Sequence, residues 1–224
     1  LLQDLFLILV MALPLMLLAV MITAAILYYG IGHATGFPWI AALLAGALLS
    51  ATDPTAVLSF LERINAPERL RILLEGESLF NDAAAIVVFS ILLAIALDPQ
   101  ESTSFSMLTM HFSQVFFGGL LVGIVFGLFL ALIFKLLSSQ SIYVLISIIS
   151  AYSVFIISND ILNVSGVIAV LICGITISLV RNRDNEKIKE DDFFESFWSL
   201  LQRVASAMIF LLGGITITVS MFTE

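Results

Sequence analysis

Apolar residues fall in long blocks rather than in alternation, with mostly apolar runs of about 20 or more residues covering 5 to 29, 37 to 61, 72 to 97, 105 to 134, 141 to 159, 161 to 180 and 194 to 221. About 20 such residues span the hydrocarbon layer as one helix, so the pattern predicts an all-α integral membrane protein with about seven transmembrane helices. Polar breaks at Gly30 to Pro38, Glu62 to Arg71, Asp98 to Ser104, Ser138 to Ser141 and Arg181 to Asp192 separate the runs. The thinnest break lies between the fifth and sixth runs, where Asn159, Asp160 and Asn163 are expected to form a tight outer turn.

Lysine and arginine sort by loop. Arg63, Arg69 and Arg71 follow the second run, Lys135 ends the fourth, and Arg181, Arg183, Lys187 and Lys189 follow the sixth. A seven-helix count puts all of them on one side, which the positive-inside rule makes cytoplasmic, with the start of the chain inside and its end outside. The opposite loops hold Asp98, Glu101, Asp160, His33 and His111 and no lysine or arginine. Gly119, Gly123 and Gly127 recur every fourth residue of the fourth helix and read as a surface for close helix packing.

Composition sharpens this picture. The chain of 224 residues is 61% hydrophobic and 12% charged, with a mean hydropathy of +1.14, against about a quarter charged in soluble domains. A formal charge of -8 argues against a nucleic-acid partner. The one cysteine, Cys173, excludes an internal disulfide and reads as a small core hydrophobe. Leu1 opens the chain without a basic leader and Glu224 closes it just after an apolar run, so a piece of a longer chain is expected, all of 1–224 being one partial transmembrane domain.

Acids stand where the bilayer penalises them. Asp53 lies in the second run, Glu75, Glu77 and Asp82 in the third, and Glu195 with Arg203 toward the inner end of the seventh. A charge at mid-bilayer costs at least roughly 2.5 to 3.5 kcal/mol, so such residues normally face a cavity or partner and mark ion or proton pathways. From the helical rise, Asp53 lies about 12 Å and Asp82 about 15 Å from the inner ends of their helices, near one level of a core about 30 Å thick. Pro54 removes a backbone donor and disfavours helical geometry at Asp53, which predicts an interrupted helix with carbonyls such as that of Thr52 turned toward an ion. Ser78 and Asp82 share a helix face, as do Glu77 and Asn81. Asp82, Asp53, Ser78 and Thr52 thus offer the oxygen ligands that a hard cation such as sodium favours. Taken singly, Ser78 and Thr52 read as structural hydroxyls bonded to their own backbone, and Glu75 as a surface residue near Arg71.

The strings Ser50-Ala51-Thr52-Asp53-Pro54-Thr55-Ala56-Val57 and Glu75-Gly76-Glu77-Ser78-Leu79-Phe80-Asn81-Asp82-Ala83, joined by a loop with Pro67 and Arg69, closely resemble the paired signature of electroneutral monovalent cation:proton antiporters, the sodium/proton exchangers of NhaP and NHE type. That resemblance implies a secondary transporter rather than an enzyme, in a multi-pass protein, with the cell membrane as the expected location. It implies that Asp82 binds cation and proton alternately, that Asp53, Ser78 and the Thr52 backbone complete the coordination shell, and that Glu77 and Asn81 brace the site. Asn81 in place of a second aspartate points to one proton per monovalent cation. Sodium and the proton are cargo, and no cofactor is expected. Family members carry about twelve or thirteen helices, with a second interrupted helix crossing the first and a further acid on an earlier helix. They also pair the counterpart of Glu77 with an arginine on a later helix. Those parts are missing here, so this stretch alone is not expected to transport, and the full-length protein is expected to form a homodimer.

Two other classes use membrane acids. Intramembrane aspartyl proteases carry a Gly-x-Gly-Asp flank, whereas Asp82 lies in Asn-Asp-Ala and Asp53 in Thr-Asp-Pro. A channel wants charged rings or a filter open to both sides, and a non-transporting membrane scaffold has no need of these acids.

Overall fold

A computed structural model describes residues 5–31, 36–97, 105–136, 140–183 and 192–223. All described elements are helical: α1 (Leu5–Gly30), α2 (Trp39–Ser50), α3 (Thr55–Arg63), α4 (Glu68–Leu97), α5 (Phe105–Lys135), α6 (Gln140–Ile156), a π-helical turn (Ile157–Ile161), α7 (Gly166–Arg183) and α8 (Asp192–Thr223). The segments Asp98 to Ser104 and 184–191, with His33, lie outside the described residues.

Among the described residues, six spans are long and apolar enough to cross a bilayer: Leu7–Gly30, Trp39–Arg63, Glu68–Leu97, Ser106–Lys135, Ile142–Ile161 and Ser196–Thr216. The sixth of the seven expected spans is shorter, with an apolar stretch of Gly166–Val180. Its outer end is used up in reversing the chain. The π turn is followed by Asn163 in the left-handed region at φ 53°, a conformation that asparagine tolerates better than most residues. The Val164 N–H donates to the Ser158 carbonyl at 2.9 Å and the Ser165 N–H crosses to the Val115 carbonyl of α5 at 3.1 Å. Ser165 then caps α7, its Oγ accepting from the Ile168 N–H at 3.3 Å, which satisfies one of the donors a helix start leaves open.

That reversal makes α5 and α7 parallel neighbours. A Cβ added at Gly119 would lie 2.7 Å from the Ser165 carbonyl oxygen, one at Gly123 2.6 Å from that of Ala169, and one at Gly127 2.6 Å from Thr176 Cβ. Both residue numbers climb together, so the two helices run in the same direction with α6 returning between them. The glycine stripe is a packing surface, as its spacing predicts.

On the other side of α4, α1 presents Ile8, Ala12, Met16 and Val20 to Ala47 of α2 and to Phe80, Ala83, Ala84 and Val87 of α4. Every fourth residue of α1 is used, the period of one helical face. Small residues again set the spacing: the position of a Cβ at Gly46 is 2.6 Å from the Val20 carbonyl oxygen. Tyr28 stacks on Trp39 where α1 turns into α2, with ring centroids 4.1 Å apart. Cys173 is buried among Leu130, Phe134, Val154 and Ala169, as a small core residue.

Candidate functional site

The second membrane span is broken where Pro54 predicts it. α2 stops at Ser50, Ala51 is extended at ψ 121°, and α3 begins at Thr55 after a non-helical stretch from Ala51 to Pro54. The stretch is a peptide with unspent backbone groups inside a span, a situation tolerated only where other protein groups satisfy them.

α4 supplies those groups. Ser78 Oγ donates to the Thr52 carbonyl at 2.7 Å. Asn81 Nδ2 donates to the Ser50 carbonyl at 3.1 Å and to Thr52 Oγ1 at 3.1 Å. Because a carbonyl oxygen can only accept, the Ser50 contact fixes which end of the Asn81 amide faces α2. The Thr52 carbonyl, expected to be turned toward an ion, is therefore partly engaged by Ser78 and keeps one lone pair. Ser78 bonds this neighbouring segment rather than its own helix, contrary to the usual behaviour of a buried hydroxyl.

Asp53 is held locally. Its Oδ1 accepts from the Thr55 N–H at 2.9 Å and from the Thr55 hydroxyl. The carboxylate so caps the start of α3, in the favourable sense for a helix dipole. Its charge lies close enough to act on the Asp82 carboxylate.

Asp82 faces the Thr52 backbone N–H, and Glu77 is near enough to feel the Asp82 charge. Asn81 Oδ1 and Asp82 Oδ1 are both buried with no hydrogen-bond donor among the described residues. Buried oxygens without donors are costly to a fold. The oxygens of Asp82, Asn81, Thr52 and Asp53 are hard donors of the kind a sodium ion takes.

All six residues singled out in the sequence, Thr52, Asp53, Glu77, Ser78, Asn81 and Asp82, thus meet at the break or on the α4 turns beside it. Glu75 is exposed, and the nearby Arg71 guanidinium pairs with Glu62 at 2.5 Å instead. Arg203 stays on its own helix and contacts Ser199 Oγ at 3.3 Å; the Glu195 side chain lies outside the described residues. A recess of about 400 Å³ farther along α4 was not foreseen; it is lined by Ile86, Ser90, His111, Phe155, Asn159 and Asn163, among others. Of these, Asn159 and Asn163 marked a break in the sequence, but nothing there tied them to Ser90.

Residues 1–224 match the family described as sodium/hydrogen exchanger, transmembrane. The chain belongs to that family. It is 33% identical over 210 residues to the Na(+)/H(+) antiporter ApNhaP of Aphanothece halophytica, covering 90% of this chain and 39% of that protein. It is 33% identical over 183 residues to the low-affinity Na(+)/H(+) antiporter NhaS1 of Synechocystis sp., covering 82% of this chain and 34% of that one. Over 184 residues it is 31% identical to the sodium, potassium, lithium and rubidium/H(+) antiporter of Bacillus subtilis, with 79% and 27% covered. The chain therefore spans well under half the length of these relatives, and it is one part of a multi-pass membrane protein.

Proposed function

We propose that the full-length protein exchanges a monovalent cation, sodium foremost, for a proton by competition at one carboxylate, Asp82. The observation that carries this reading is the pair of buried oxygens without donors, Asn81 Oδ1 and Asp82 Oδ1, set against the broken span. A proton on Asp82 withdraws the negative charge that would hold a cation, and a bound cation disfavours the proton. Each ligand displaces the other, so loading one side and releasing on the other yields exchange. Asp53 contributes charge, Thr52 and Ser78 shape the oxygen cage, and Asn81 holds the unwound segment in place while its Oδ1 faces the ion. Beside Asp82, Asn81 adds no second titrating acid, which supports one proton per cation and no net charge moved. The names of the relatives, three of them antiporters of sodium and protons and one also of potassium, lithium and rubidium, support a monovalent cation as cargo.

Proteoliposomes containing the full-length parent test this. An imposed sodium gradient should drive opposite proton movement, with an apparent sodium KM that rises as the pH falls because protons compete for the same carboxylate. A sodium KM independent of pH between about 6 and 8.5 would contradict competition at one group.

A further inference from the structure

The two arms of the site are joined by a short turn. At the end of α3 the Ala66 N–H donates to the Leu61 carbonyl at 2.9 Å and the Asn65 N–H to the Glu62 carbonyl at 3.1 Å. Asn65 adopts φ 50°. This is the Schellman arrangement, with asparagine in the left-handed position and Leu61 packed at the turn. Pro67 follows and prevents the helix from continuing.

Across that turn Arg71 Nη2 donates to Glu62 Oε1 at 2.5 Å. Arg71 Nε is buried with no acceptor among the described residues, so Glu62 is the anion that anchors this half-embedded guanidinium. By helical rise, Glu62 lies about 10 Å along α3 from Thr55, the residue after the break, and Arg71 about 16 Å along α4 from Asp82. Two arms therefore run from one ion pair to one site. Leu61 is the one buried residue of α3, so apolar packing does little to set the angle between α3 and α4.

We propose that the Glu62–Arg71 ion pair is a positioning clip that holds α3 against α4 and thereby sets the cation affinity of the Asp53–Asp82 site. It rests on the exchange reading above. An exposed pair adds little to global stability, and its effect here is on geometry. With the clip open, α3 tilts about its turn and the Thr52 carbonyl and Asp53 carboxylate move relative to Ser78 and Asp82.

The test uses the full-length parent with Glu62→Arg, Arg71→Glu and the exchanged pair Glu62→Arg/Arg71→Glu. Each single variant should raise the cation KM roughly 3- to 10-fold with little change in kcat, and the double variant should return within about twofold of the parent. Spin labels at Ser59 and Leu79 provide a readout that needs no transport: their distance distribution should broaden in each single variant and narrow again in the double. Unchanged distributions in the single variants, or a double variant no better than the worse single one, would overturn the clip. A parent that moves no cation while its labels respond as described would overturn the exchange reading and leave the clip as a mechanical finding.

Discussion

Asn81, in the middle of α4, donates its side-chain amide at 3.1 Å to the carbonyl of Ser50, the residue at which the second span stops being helical. One side chain therefore satisfies the carbonyl at which the helix breaks, and its other end, Oδ1, is buried without a donor among the described residues. Replacing it with alanine removes two hydrogen bonds, each worth about 0.5–1.5 kcal/mol, and leaves the Ser50 carbonyl buried without a donor. Asn81→Ala should lower the melting temperature of the purified parent and raise its cation KM together. Asn81→Asp should be worse, because an ionised carboxylate cannot donate and stands next to Asp82. A variant pair with parental melting temperature and KM would show that Asn81 is not what holds the break.

Asp53 has two jobs that a single substitution can separate. Asn keeps an oxygen for the Thr55 cap but loses the charge, and Ala loses both. Asp53→Asn should raise the cation KM while leaving the melting temperature near that of the parent; Asp53→Ala should also lower the melting temperature, because the Thr55 N–H loses its acceptor. Equal transport in parent and Asp53→Asn would reduce Asp53 to a structural cap.

The spacing of α5 and α7 depends on having no side chain at Gly123, where a Cβ would come within 2.6 Å of the Ala169 carbonyl oxygen. Backbone on that side cannot rotate away. Gly123→Ala should therefore destabilise the purified parent by roughly 1–3 kcal/mol, as overpacking does elsewhere. Gly174, with open space around its Cβ position, is the control: Gly174→Ala should be neutral or stabilising. Similar melting temperatures for both variants would contradict the close approach.

Parallel α5 and α7 also make a prediction about sidedness. Cysteines placed at Leu136 and Val180 should be labelled from the same side of intact cells or oriented vesicles. Labelling from opposite sides would mean that the chain does not reverse at Asn159 to Asn163.

Much of this was legible in residues alone, for identifiable reasons. The spans follow from apolar run length, because a bilayer imposes that length on any helix that crosses it. The break at Asp53 was legible because proline removes a donor and restricts its predecessor. That Asp53 and the α4 acids fall in neighbouring spans was legible from run length and rise per residue. What was hidden depends on rotation and on partners. Periodicity cannot say that Ser78 bonds the Thr52 carbonyl rather than its own helix, that Asp53 spends one oxygen on Thr55, or that Arg71 reaches back to Glu62 rather than forward to Glu75. The shortening of the sixth apolar run was hidden too, because Ile161 and Leu162 look like the start of a new span, whereas Ile161 closes the span before it and Leu162 belongs to the turn.

The most direct measurement is cation-driven proton movement in proteoliposomes of the full-length parent carrying Asp82→Asn. Asparagine keeps the shape of the side chain but removes both its charge and its titrating proton, so exchange should fall to the level of protein-free vesicles while the variant still inserts and purifies like the parent. Sodium-driven proton movement at close to the parental rate in Asp82→Asn would contradict the account.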